Sequence, residues 1–485
     1  MSLPVLATAF CLAVEGVSLA GMLTKPASIC NIIQDSISTE SAVLYPDSTY
    51  EFGNDTHHWM SSSSQTPTCV LEAGSPEDLS VAMKVVGCSR TPFAIMSGGH
   101  TSNPEFSSTT GVHISLKRFN QLVFSADNST VEVGTGWTWA DLYTALDPTG
   151  YNVVGGRTVG PGVGGFTLGG GYSWKTNQFG LTCDTVKSYN LVLPNGTITR
   201  ASETGNEDLF FALKGGLNRF GAVTSVEFYT HKQSPRVYGG LLIYSGDAID
   251  AVLNATAAFN SENKDPKAQV ITTLEAMANI GTLATVNLFY DGPTEPSSFD
   301  VFDGIKSALS TVTNNQSFAT FIKSIPGVPV TDLRGAFASF STSALPQSFL
   351  AAVKSEFEAL SANMSSHSGS TVSYDIEPFT LYGEHATDSA YPHSKSPLPL
   401  NLYFAWTSPA DDEYWNTAMK ESLARLKKVA TAQGIYDPEF AVYPNYASAS
   451  TTAEELYGAN TQRLREIKDQ IDPKRIMDLA GGFDI

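Results

Sequence analysis

Residues 97–101 read Ser97-Gly98-Gly99-His100-Thr101, directly after the apolar run Pro92-Phe93-Ala94-Ile95-Met96. An imidazole in such a turn can act as a nucleophile, and clustered glycines let backbone amides crowd around a diphosphate. A second cluster runs from Gly155 to Gly171 and reads Gly-Gly-Arg-Thr-Val-Gly-Pro-Gly-Val-Gly-Gly-Phe-Thr-Leu-Gly-Gly-Gly. It formally holds G-x-G-x-x-G at Gly160, Gly162 and Gly165. A nicotinamide-type turn needs a helix at once, and three successive glycines after Leu168 argue against one. The two clusters therefore predict a diphosphate-bearing cofactor, with His100 placed to hold it covalently.

The elements around these turns follow from local signals. Cys69 to Glu72 and Pro92 to Met96 read as strands flanking a helix capped by Ser75, with Pro76 first and acids in its first turn. This is a βαβ-like start leading into the histidine turn. Residues 112–116, 130–134, 186–193 and 222–229 alternate as strands, and Asn195-Gly196 is a hairpin-type turn. Thr138 caps a helix to Leu146, with Trp139, Leu142 and Leu146 on one face. Beyond residue 236 the pattern changes. Helices are predicted over Asp247–Asn260, Ser297–Thr311, Gln347–Asn363 and Asp411–Thr431, and strands over Val237–Tyr244, Ala284–Phe289, Val372–Pro378 and Leu400–Trp406. That mixture predicts a sheet with helices on one face, an α+β arrangement. A tail helix is predicted over Thr452–Ile471, capped by Thr451 or Thr452 and stopped at Asp472-Pro473.

The chain has 485 residues, enough for two domains, and its 42% apolar content supports a folded core throughout. Lys plus Arg is 29 against 48 Asp plus Glu, a net charge of −19, which argues against nucleic acid and anionic membranes as partners. Leu3 to Leu19 resembles a secretory signal with a cut after Ala20, although Glu15 and the missing basic start depart from the pattern. Sequons at Asn54, Asn128, Asn195, Asn254, Asn315 and Asn363 predict an exported glycoprotein. Cys11 would leave with the signal. Among Cys30, Cys69, Cys88 and Cys183, the favoured bridge is Cys30 with Cys69, with Cys30–Cys88 a close rival and Cys183 a plain buried thiol. No metal site is expected, since His57-His58 has no ligand pair close by.

Further motifs follow in order. They are Gly162-Val-Gly164-Gly165-Phe-Thr167-Leu-Gly169-Gly170-Gly171-Tyr172, then Phe179-Gly-Leu-Thr-Cys-Asp-Thr-Val, then Asp208 to Gly216, then Asn218-Arg-Phe220-Gly221-Ala-Val223. The tail adds Tyr443-Pro444-Asn445-Tyr446, Leu456 to Asn460 and Asp472-Pro473. Together with the histidine turn, extended to Ser102, they resemble the vanillyl-alcohol-oxidase/p-cresol-methylhydroxylase flavoproteins. Within these, the resemblance is to the berberine-bridge-enzyme-like FAD oxidases, over nearly the whole mature chain. The resemblance implies a two-domain α+β PCMH-type FAD-binding fold. Its parts would be a signal (1–20), an N-terminal segment (21–61), an FAD-binding domain (62–235), a substrate domain of antiparallel sheet covered by helices (236–430), and a returning tail (431–485). It implies FAD bound by Ser97, Gly98, Gly99, Thr101 and Ser102. It extends this role to Gly160, Gly162, Gly164, Gly165, Thr167, Gly169, Gly170, Gly171 and Tyr172, and to Gly221, Val223 and Asn445. His100 matches the histidine that bonds to the flavin. Many members add a cysteinyl link, but Thr158 stands at that position, so a single covalent link is expected.

The resemblance further implies oxidation of a small organic substrate by hydride transfer, with molecular oxygen as acceptor, in a monomeric secreted protein. A secreted carbohydrate oxidase is the first alternative. It would need grouped exposed aromatics, and Trp59, Trp406 and Trp415 are scattered. A non-redox flavin-binding pocket protein or cyclase is the second. For the catalytic base, the tail segment is read as a strand presenting Tyr443 and Tyr446 on one face, with Tyr446 favoured. Asn445, Tyr382, Glu384 and His385 are lesser candidates. A tyrosine with an ordinary pKa of about 10 needs a neighbouring cation, or hydrogen bonds to its phenolate, to act near neutral pH, and Lys175, just past the triple glycine, is one source of that charge.

Overall fold

The computed structural model describes residues 28–47, 49–325, 333–380 and 382–485. The predicted signal and the Ala20 cut lie outside them. The chain forms three main sheets. The first has the order Ala42–Leu44, Cys69–Glu72, Val112–Ser115, Phe93–Met96, and its last three strands are parallel. The crossover is the helix Pro76–Ser89. Ser75 caps it by accepting from the Asp78 N–H (3.2 Å), and Leu79, Ala82, Met83, Val85 and Val86 are buried on its inner side. The Cys30–Cys69 disulfide pins the N-terminal helix Ile29–Ser36 to this sheet, the favoured pairing, and Cys183 is a free buried thiol.

The second sheet is antiparallel, in the order Leu122–Phe124, Thr130–Gly134, Ala222–Tyr229, Val186–Val192, Ile198–Ser202. Asn195-Gly196 makes the turn between its last two strands, and Gly196 has φ +84°. Thr138 caps the helix Trp139–Leu146, whose Trp139, Leu142 and Leu146 are buried as the spacing requires.

The third sheet positions the chemistry. Its order is Leu309–Ser310, Val237–Ser245, Gly281–Tyr290, Ala268–Met277, Gly369–Ile376, Leu398–Trp406, Arg334–Thr342, with Thr313–Gln316 beside the second strand. All its pairings are antiparallel. Side chains alternate across a strand. Val372, Tyr374, Ile376, Leu400, Leu402 and Phe404 therefore join the core beneath the helices Ile249–Glu262, Gln347–Ser361 and Asp412–Ala432. Phe349, Leu350, Val353 and Phe357 from the middle helix are fully buried there, each contributing about 1.5–3 kcal/mol. The residues between them, Ser373, Asp375, Asn401 and Tyr403, point to the opposite, polar face.

Several expectations are corrected. Ser297–Thr311 is not a helix. A 3-10 segment over Ser297–Phe302 buries Phe299 and Phe302, three apart, then Gly304 (φ +77°) breaks it and Leu309–Ser310 joins the sheet edge. The tail helix is two helices, Ala453–Tyr457 and Thr461–Ile471, parted by Gly458 at φ +52°, while Thr452 and Glu455 form its capping box. A short helix does follow Gly162, over Val163–Leu168. It ends before the triple glycine takes effect. The strands Ala268–Met277 and Arg334–Thr342 were not predicted.

Candidate active site

The two glycine turns lie directly on one another. A Cβ on Gly98 would stand 2.3 Å from the Gly162 nitrogen, and one on Gly162 equally close to Ser97 Oγ, so only hydrogen fits at either place. Ser97 Oγ locks the pair: it donates to the Thr135 carbonyl (2.6 Å) and accepts from Gly164 N–H (3.2 Å). Thr135 in turn donates to the Val223 carbonyl (2.8 Å). Gly221 sits beside it at φ +144°. Among the described residues, the N–H groups of Gly98, Gly99, Thr101 and Ser102 find no acceptor. A turn with several unpaired donors is an anion seat, and it fits the diphosphate of FAD. Gly165 faces open space, whereas Thr167 bonds back to the Val163 carbonyl (2.7 Å) and offers its hydroxyl to nothing else.

His100 lies against Gly160, where a Cβ would stand 2.8 Å from the imidazole, and stacks on Trp59 with ring centroids 4.4 Å apart. Trp59 also stacks on Phe337 and touches Tyr403, and the Ser102 hydroxyl accepts from the Phe337 N–H (3.1 Å). The histidine turn is thereby tied to the polar face of the third sheet. One edge of His100 reaches solvent, but burial of the rest lowers its pKa to about 4. The ring is neutral at any ordinary pH.

The triple glycine receives the tail. Tyr443 Oη accepts from Gly171 N–H (3.1 Å), Tyr172 N–H (3.2 Å) and Asn445 Nδ2 (2.8 Å), while Asn445 also donates to the Phe166 carbonyl (3.0 Å). Asn445 fills the place of the missing Gly169 side chain, and Gly170 and Gly171 have φ of +107° and +90°. Tyr172 is buried with its hydroxyl on that of Tyr382 (2.5 Å).

Tyr443 and Tyr446 do come together, though not on a strand. They are three residues apart, so a strand would have turned them to opposite faces. A 3-10 turn over Pro444–Tyr446 brings their rings within 4.9 Å. Tyr446 Oη donates to Glu377 Oε1 (2.8 Å) and contacts the Arg157 guanidinium, which pairs with Glu377 at 2.8 Å. Burial pushes the Tyr446 hydroxyl well above its usual range, and Arg157 opposes that rise. Burial likewise raises Glu377, against the pull of Arg157.

The expected cation is therefore corrected. Lys175 points away, to Asp291 (3.3 Å) and Gln233 (2.5 Å), because the strand pair beside it offers a buried carboxylate. Arg157, inside the second glycine cluster, takes the role. Glu384 and His385 are exposed, and Tyr382 belongs to the tyrosine cluster. Glu377 was also missed. Its signal was present: Ser373, Asp375 and Glu377 alternate with Val372, Tyr374 and Ile376 in a predicted strand. Among the described residues, no group of three His, Cys, Asp or Glu side chains could hold a metal ion.

A family model described as an FAD binding domain matches residues 67–202, and one described as berberine and berberine like matches residues 442–478. An FAD-dependent monooxygenase of Aspergillus niger, yanF, is 30% identical over 434 residues, covering 86% of this chain and 73% of that protein. The chain belongs to the berberine-bridge-enzyme-like FAD-dependent oxidoreductases. In this family member, His100, both glycine turns and Arg157 fall within the first match, and Tyr443, Asn445 and Tyr446 within the second. An uncharacterized FAD-linked oxidoreductase of Arthroderma benhamiae is 36% identical over 260 residues, 53% of this chain and 51% of that protein. A solved xylooligosaccharide oxidase from Myceliophthora thermophila, bound to xylobiose, shares the fold with a TM-score of 0.75 at 21% identity, covering 95% of this chain and 100% of that one.

Proposed function

We propose that the protein is a secreted FAD-linked oxidase of a small organic substrate in secondary metabolism, with the flavin held by one covalent bond to His100. The observation that carries the reading is a neutral His100 beside unpaired turn amides, joined through the rings of Trp59 and Phe337 to Tyr446 and the buried Arg157–Glu377 pair. Bound FAD would supply the two-electron acceptor, taking a hydride from a substrate C–H and passing electrons to O2 to give H2O2. The chain's own residues manage the proton. Tyr446 can give its hydroxyl proton to Glu377 Oε1, and the guanidinium beside it stabilises the phenolate left behind. That phenolate accepts a proton from the substrate as its C–H is oxidised. Tyr443 positions Tyr446 by anchoring the tail on Gly171 and Tyr172.

Thr158 in place of a cysteine supports a single link. All six sequon asparagines are exposed, which supports glycosylation on an exported chain starting near Gly21. The division at residues 62, 236 and 431 and a monomeric state belong to the same proposal. The carbohydrate alternative gains little: Trp406 and Trp415 are buried in the core, and Trp59 is packed against His100, Phe337 and Tyr403.

The test is acid precipitation of the yellow protein, followed by peptide mapping and peroxide release over a substrate library. Flavin mass should appear on the His100 peptide alone. Colour left in the supernatant, or flavin on a second peptide, overturns the single-link reading.

A further inference from the structure

The polar face of the third sheet carries charges that do not balance. Thr273, Asp375, Asn401 and Ser339 lie in one row across four neighbouring strands, and Glu275, Ser373, Tyr403 and Phe337 lie in the next. Glu275 and Asp375 are diagonal neighbours, a spacing of about 7–8 Å between backbones that side chains readily close. Asp375 is held only by neutral donors: Thr273 (2.9 Å), Ser373 (3.0 Å) and Asn401 (2.9 Å). Among the described residues, Glu275 has no hydrogen-bond or ion-pair partner. Among the described residues, the guanidinium at this face is that of Arg157, and it is committed to Glu377 and Tyr446. Three carboxylates thus share a single cation, and both Glu275 and Asp375 keep some solvent exposure.

A second observation points the same way. Among the described residues, Asn401 Oδ1 and Tyr403 Oη have no hydrogen-bond partner, although the two residues are only 2% and 5% exposed. An amide oxygen can only accept, so the partner missing at Asn401 is a donor. The Tyr403 hydroxyl feels both acids: after burial, the charges of Glu275 and Asp375 are what raise it. Burial first, and then Asp375, push Glu275 up to about 7, as expected of two carboxylates sharing a site with no cation between them. A flavin ring carries no positive charge and cannot balance them.

We propose that the substrate carries a protonated amine, seated between Glu275 and Asp375, with Asn401 and Tyr403 completing its hydrogen bonds. This rests on the reading that the sheet's polar face bounds the reaction space. It also gives the oxidised C–H a location, close to an ammonium group and within reach of the tail tyrosine.

Anaerobic titration calorimetry on the purified holoenzyme tests this with three probes of one shape: benzylamine, benzyl alcohol and benzoate. Benzylamine should bind at least tenfold more tightly than benzyl alcohol, and benzoate should give no heat. Glu275→Gln and Asp375→Asn should each remove most of the amine's advantage and leave benzyl alcohol unchanged. Equal affinity for amine and alcohol in the wild-type protein overturns the proposal, with no variant needed. So does an amine preference that survives both substitutions. The heats need no turnover. A protein that binds the amine but never reduces its flavin would keep this inference and lose the oxidase reading.

Discussion

Replacing Arg157 by methionine removes the cation paired with Glu377 and leaves that carboxylate buried, with Asp375 two residues away on the same face. Glu377 must then stay ionised alone or take up a proton. Protonation is the cheaper course, and pH sets its cost. Starting from an ordinary glutamate value of 4.5, holding the proton costs about 1.4 kcal/mol near about pH 5.5 and about 4 kcal/mol near about pH 7.5. The second figure matches the loss of about 3–5 kcal/mol expected when one partner of a buried ion pair is removed. The sign follows from linkage. In the variant the folded carboxyl titrates far above the unfolded one, so stability is retained below the unfolded value and lost as pH rises. Urea unfolding of Arg157→Met at those two pH values, followed by tryptophan fluorescence, should show the penalty growing by about 2–3 kcal/mol from the lower to the higher. The double variant Arg157→Met/Glu377→Leu should recover most of the loss at the higher pH, because the carboxylate that was paired with the guanidinium is then gone as well. An equal loss at both pH values, or a double variant that loses the sum of two single losses, would refute the buried-pair reasoning.

Other outcomes follow from the same geometry. Tyr446→Phe keeps the ring and should leave the flavin spectrum intact, while anaerobic flavin reduction slows by roughly 10²-fold; an unchanged rate would return the residue to packing. Gly162→Ala sets a methyl 2.3 Å from Gly98 N, so the two turns must part, and the protein should purify without flavin absorbance. His113 is buried with an unpartnered Nε2, and burial lowers its pKa to about 3. Its contribution is intact above the unfolded value near 6.5 and falls by about 1.4 kcal/mol per pH unit below it. His113→Leu should flatten stability against pH across that window, as read by thermal melts from neutral to acid.

Much of this was written locally. Ser75 and Thr138 each cap the helix they were expected to cap, and of the two threonines offered for the tail it is Thr452 that does so, because a side-chain oxygen before an apolar run has few other uses. The glycine turns were legible because no other residue tolerates such contact. What escaped was non-local. Ser297–Thr311 has helical spacing, but Gly304 and the sheet edge prevail over propensity. Arg157 looked like one more residue in a glycine run, and only the fold reveals that a carboxylate 220 positions later awaits it. Lys175 was the nearer cation in sequence and the wrong one in space. Glu377 could have been found by asking which face of its strand each residue takes.

The hydroxyl of Tyr443 meets the Gly171 amide across 272 residues of chain. Synthesis runs from the N-terminus, so both glycine turns leave the ribosome long before the segment that closes over them. A nascent chain halted short of Tyr443 carries the histidine and every turn amide, yet Gly171, Tyr172 and Arg157 still lack their tail partners. Closure of such distant contacts is slow, because loop entropy is lost before any contact forms. The closed form of the two glycine turns is therefore a late event of maturation, reached only after the tail that seals them has been made.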